Sequence, residues 1–142
     1  MSLAATVYIK KAHISIEWLD DTISVDETTG EVVSATYHIP AKAKEAVSYR
    51  LGNAKYVERC RAEIEKVAKG RGLAMPILLG QVLSGEVQVG DVVKYADIPK
   101  IKRELKFLER TPKFSGDVKE LLFRLSKLVD AAEVNRNPIA FT

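Results

Sequence analysis

With 142 residues, 46% of them apolar and 29% charged, the chain is long enough to bury one hydrophobic core without disulfides or metal. A single cysteine, Cys60, rules out an internal disulfide, and apolar runs as short as Met75 to Leu79 fall far below the length of a membrane span. No basic stretch followed by an apolar one opens the sequence, so a secretory signal is not expected and the cytoplasm is the expected compartment.

Ile14, Ile16 and Trp18 alternate with Ser15 and Glu17, the period of a half-buried strand. Asp20-Asp21 reads as a turn, Ile23 and Val25 open a second strand, and Thr28-Thr29-Gly30 makes a second turn. Val33, Ala35, Tyr37 and Ile39 alternate again until Pro40. These residues predict a three-stranded antiparallel meander. From Ala41 to Tyr49 the pattern admits a helix, whereas Ser48 to Asn53 reads as a loop ending in a helix cap. Asn53 is the expected N-cap of a helix carrying Val57, Cys60, Ile64 and Ala68 on one face and stopped by Gly70-Arg71-Gly72.

Pro76 to Leu83 fits a short buried helix or a buried strand. Val87 to Val93, with Gly90-Asp91 inside it, reads as strand, turn and strand. Asp97 is placed to cap a helix over residues 98–110, and Thr111-Pro112 to end it. Ser115 is the expected cap of a last helix, striped by Val118, Leu121, Leu122, Leu125, Leu128 and Val129. Ile139 to Phe141 would add a short strand. The expectation is an α+β fold in a single domain over residues 1–142. Its antiparallel N-terminal meander would have helices packed on one face, and a short C-terminal strand would complete it.

Charge is unevenly spread. Residues 1–40 carry two basic and six acidic side chains, a balance of −4, and the rest of the chain carries +7. Such asymmetry steers partners more than it shapes a fold. The acidic side chains fall largely at the two turns, which makes Asp20, Asp21, Asp26 and Glu27 candidates for contact with a partner.

The helix over 98–110 holds a second candidate surface. At about 100° per residue, Ile98, Ile101, Leu105 and Leu108 form one stripe and Phe107 falls nearly opposite, among Lys100, Arg103, Lys106 and Arg110. Phe123 likewise lies off the stripe of the last helix, near Lys119, Lys127 and Asp130. Two readings are open. The rings form a second buried layer, or they anchor an interface with a basic rim, the composition of binding hot spots.

Catalytic and metal chemistry find little support. His13, Glu17 and His38 could share the polar face of the meander, but a metal or general base needs convergent ligands that this spacing does not impose. Cys60 sits on the buried stripe of its helix, the place of an inert thiol. Gly80, Gly85 and Gly90 are not followed by the Gly-Lys-Ser/Thr of a phosphate loop. No cofactor is expected. From Lys100 to Lys113, six basic and two acidic residues with Phe107 among them could also grip phosphates and stack a base, as single-strand binders do.

The order from Ser48-Tyr49 and Gly52-Asn53-Ala54, through Pro76-Ile77-Leu78-Leu79 and Gly90-Asp91, to the two C-terminal helices, Ala131-Ala132 and Asn137-Pro138-Ile139 with Phe141, resembles small bacterial immunity proteins of polymorphic and contact-dependent inhibition toxin systems. The resemblance implies a non-enzymatic cytoplasmic protein that binds a cognate toxin domain and blocks its active site. It carries over no functional residue. One departure stands: inhibitors of nuclease toxins tend to be acidic, whereas this chain is basic, so only its N-terminal region would suit such a partner. The alternative is a small nucleic-acid-binding module using the helix over 98–110, and an enzyme built on His13, Glu17 and His38 comes third.

Overall fold

In the computed structural model, which describes residues 2–111 and 113–142, the chain opens with strand β1 (Ser2–Tyr8). After it come a hairpin of β2 (Ile23–Val25) and β3 (Val32–Ser34), one helical turn α1 (Ala41–Lys44) and the long strand β4 (Glu45–Asn53). Helix α2 (Ala54–Gly70), the two-residue β5 (Val92–Val93), helices α3 (Ile98–Glu109) and α4 (Gly116–Asn135) and strand β6 (Ile139–Phe141) complete it. The α+β class, the antiparallel N-terminal strands and the short C-terminal strand are as the sequence led us to expect. The break anticipated at Pro112 lies outside the described residues.

Four strands form the main sheet in the order β4-β1-β6-β5, every pair antiparallel. Its inward residues, Ala5, Val7, Leu51, Val93, Ile139 and Phe141, belong to one core with the stripes of the three long helices. Helices α2 and α4 rest on the sheet, and α3 packs along α4. Leu121, Leu125 and Leu128 are almost wholly buried, each worth ~1.5–3 kcal/mol against exposure. Asn53 and Ser115 cap as expected: Asn53 Oδ1 accepts from the Tyr56 amide at 2.8 Å and Ser115 Oγ from the Val118 amide at 3.3 Å. Asp97 occupies the cap position of α3 without a side-chain bond to it.

Several local expectations are corrected. Ile14 to Trp18 is not a strand but two turns of 3-10 helix, Lys11–His13 and Ile16–Trp18. Bonds from the Ile14 amide to the Lys11 carbonyl and from the Trp18 amide to the Ser15 carbonyl replace a ladder. The alternation was coincidental, since Ile14 is 5% exposed and Ile16 85%. The third expected strand stops at Ser34. Residues 45–53, read as helix running into loop, are a strand, and Ser2–Tyr8, read as nothing, is an inner strand of the sheet. The segment after Pro76 is a buried helical turn, Leu78–Val82, at whose end the Val82 and Leu83 amides reach back five residues to the Ile77 and Leu78 carbonyls.

The β2–β3 hairpin forms a small lobe with its own core of Ile14, Val32 and Ile39, against which Trp18 and Tyr37 pack. The Tyr37 hydroxyl donates to the Trp18 carbonyl, and Lys44 at the end of α1 pairs with Glu31 at the hairpin turn. Gly30, at φ 79°, turns the hairpin against Asn137, where a Cβ would come within 2.3 Å of Oδ1. Asn137 Nδ2 donates to the Tyr8 carbonyl at 2.8 Å, and Asn135 Oδ1 accepts from the Lys10 amide at 3.1 Å. The end of α4 thus stitches the last residue of β1 to the hairpin turn.

One buried carboxylate holds the helical turn. Glu104 on α3 accepts the Leu78 amide at 2.9 Å, an amide with no other partner among the described residues. Burial pushes the Glu104 carboxyl above its ordinary value, against the opposing pull of the Leu78 and Ile77 amides.

Candidate functional site

Helix α3 is amphipathic by construction. Ile98, Ile101, Leu105 and Leu108 are buried, Lys102 reaches across to Glu133 of α4 at 2.8 Å, and the opposite side meets solvent. Lys100, Arg103, Lys106, Phe107 and Arg110 are all exposed there. Phe107 is 54% exposed, so the reading that placed it in a second core layer is overturned. Lys100 lies 3.6 Å from Asp97, while Arg103, Lys106 and Arg110 enter no ion pair among the described residues. Arg71, just past the end of α2, donates to the Phe107 backbone carbonyl at 3.1 Å and brings a fifth cation to this part of the surface. The signal for Arg71 was absent from sequence spacing, because only the packing of α2 beside α3 brings the two together.

Phe123 is 57% exposed, with the Lys127 ammonium 5.3 Å from its ring centre. It lines a groove of about 380 Å³ between α3 and α4, together with Leu108, Phe114, Leu122 and Lys119. The two phenylalanines do not form one patch. Glu109 and Lys102 mark the side of α3 that faces α4, and Phe107 lies roughly 150° round the helix from them, toward Arg71. Two aromatic sites exist, and the denser cationic surface belongs to Phe107.

The acidic candidates divide. Asp20 Oδ1 accepts the Thr22 amide at 2.8 Å and its hydroxyl at 2.6 Å, and Asp26 Oδ1 accepts the Thr28 and Thr29 amides at 2.8 and 3.0 Å. These bonds hold both carboxyls below their ordinary values. Both residues are therefore occupied in shaping turns. Asp21 and Glu27 are exposed and free of hydrogen bonds among the described residues, so they alone of the four are available to a partner. Asp26→Ala is expected to loosen the hairpin, seen as faster amide exchange at Thr28 and Thr29, whereas Glu27→Ala leaves both rates unchanged. Equal effects of the two substitutions would contradict this division.

His13, Glu17 and His38 are all exposed, and none hydrogen-bonds another among the described residues. No cluster of three His, Cys, Asp or Glu side chains fit to hold a metal occurs among the described residues. Replacing His13 or His38 by alanine is expected to change stability by less than about 0.5 kcal/mol in denaturant titration, the range of surface positions. A loss of several kcal/mol would mean a buried role that these positions do not display. Cys60 is buried, and burial raises its thiol pKa, which keeps it protonated and unreactive.

No helix of the described residues is long and apolar enough to cross a membrane. Compared with protein-family models, with curated proteins and with solved structures, the chain gives no match.

Proposed function

We propose that this chain is a non-catalytic partner-binding protein of the immunity type, which neutralises a toxin domain by direct contact through the outer face of α3. The observation that carries the reading is the exposed Phe107 ring among Lys100, Arg103, Lys106, Arg110 and Arg71. A solvent-facing aromatic on a surface that also carries arginines is what interface hot spots are usually made of. Water-exposed apolar area of that size is left on a folded surface at a cost, and covering the exposed half of the ring with a partner recovers ~1 kcal/mol. The cations choose the partner: the toxin surface that docks here is acidic, and the free Asp21 and Glu27 form a separate, weaker steering site. The sequence resemblance to immunity proteins points the same way.

Co-expression with each protein encoded in the adjacent reading frames tests the reading. A one-to-one complex that survives purification, together with loss of toxin activity, is the expected outcome. Failure of every adjacent open reading frame to yield a complex would sink it.

The same cations favour one rival. If the four exposed side chains of α3 bind a single strand by phosphate contacts, affinity for an oligonucleotide should fall roughly fiftyfold between about 50 and about 200 mM salt. Affinity in the low micromolar range with that salt slope, and no protein complex, would assign the face to nucleic acid instead.

A further inference from the structure

A second site lies away from α3 and α4. The first turns of α2, the start of β1 and the loop after the Leu78–Val82 turn border an open-sided cavity of about 450 Å³, within the size range of small-molecule sites. Leu3, Val57, Leu83 and Val87 make its walls apolar, and the Arg61 and Glu58 side chains of α2 complete its lining. Arg61 Nε is buried and has no hydrogen-bond partner among the described residues. The nearest carboxylate, Glu65 on the next turn, stands 4.0 Å away, too far for a hydrogen bond, and it also pairs with Lys69 at 3.3 Å. A guanidinium N–H withdrawn from water without an acceptor is a rare and costly arrangement in a folded chain. The Arg61 side chain as a whole is 38% exposed, so its planar guanidinium remains open to an incoming carboxylate.

We infer that this cavity binds a small amphipathic monocarboxylate, its hydrocarbon body against Leu3, Val57, Leu83 and Val87 and its carboxylate on Arg61. The charge count follows from Glu58. This exposed carboxylate at the lining repels a second negative charge, so dicarboxylates and phosphate esters are disfavoured relative to a single carboxylate. The site is independent of the partner-binding face, since none of its lining residues belongs to α3 or α4.

The test uses the intact chain, octanoate as probe and octanol as the uncharged control, followed by amide shifts in NMR titrations. Octanoate should shift the amides of Val57, Arg61 and residues 82–87 saturably, and bind at least tenfold more tightly than octanol. Arg61→Met keeps an apolar stem but removes the donors, and should weaken octanoate at least tenfold while leaving octanol unchanged. Glu58→Lys, at an exposed position where folding is not at stake, should strengthen octanoate severalfold. Absence of saturable shifts at millimolar octanoate would overturn the inference. So would equal binding of octanoate by the native chain and both variants, which would mean uptake by apolar surface alone.

Discussion

Replacing Glu104 by alanine is expected to destabilise the fold by ~1–3 kcal/mol, the cost of leaving a buried amide unmet. The Leu78 amide opens the helical turn that carries Leu78, Leu79 and Val82 into the core, and Glu104 is its only acceptor among the described residues. Glutamine should behave differently, because its side-chain oxygen can accept the same bond without a charge to desolvate. The pH dependence separates the two effects. A carboxyl whose pKa is raised on folding favours the native state while protonated, so its contribution is complete below the unfolded value and disappears as pH rises through the folded one. The native chain should therefore lose stability relative to Glu104→Gln as pH rises above the ordinary glutamate value of about 4, and the glutamine variant should equal or exceed it at neutrality. Urea titrations of the three chains at both pH values provide the measurement. A glutamine variant as unstable as the alanine one at every pH would show that the turn requires the charge itself.

The second large effect concerns binding. Phe107→Ala should leave the denaturation midpoint nearly unchanged, within about 0.5 kcal/mol, since the ring is half exposed on the outer face of α3. It should at the same time cost ~2 kcal/mol or more of affinity for the partner, about a thirtyfold rise in Kd. Phe123→Ala provides the comparison. That ring lies on the α3–α4 groove, on the far side from Phe107, and its loss should affect the same complex much less. Calorimetry with the captured toxin domain would read both. A stability loss of several kcal/mol in Phe107→Ala, or undiminished affinity, would remove this face from the mechanism.

The helices were legible because their information is local. Each of α2, α3 and α4 carries an apolar stripe at helical spacing, and Asn53 and Ser115 mark two starts with side-chain oxygens that bond amides three residues on. The same wheel placed Phe107 and Phe123 off their stripes, and both proved exposed. The sheet was harder to read. β1 opens on Ser2, Leu3, Ala4 and Ala5, with its β-branched Thr6 and Val7 only at the end, and its register against β4 shifts at Leu3/Ala4 and at Val7/Tyr8. A bulge interrupts the two-residue period on which any reading of a strand depends. Conversely, Ile14, Ile16 and Trp18 alternate by chance in a segment whose short-range hydrogen bonds make turns.

By itself, then, the sequence determined the α+β class, the three long helices with the caps of α2 and α4, the Thr28-Thr29-Gly30 turn and the closing strand, because each follows from neighbours a few residues apart. Only the tertiary structure decided that β6 lies inside the sheet beside β1, that Arg71 joins the Phe107 face, and that Asp20 and Asp26 are consumed by their turns. It alone brought Glu104 to the Leu78 amide and left Arg61 Nε without an acceptor among the described residues. Those facts depend on contacts between residues far apart in the chain, or on which of several possible local bonds a side chain makes, and neither is written in spacing or composition.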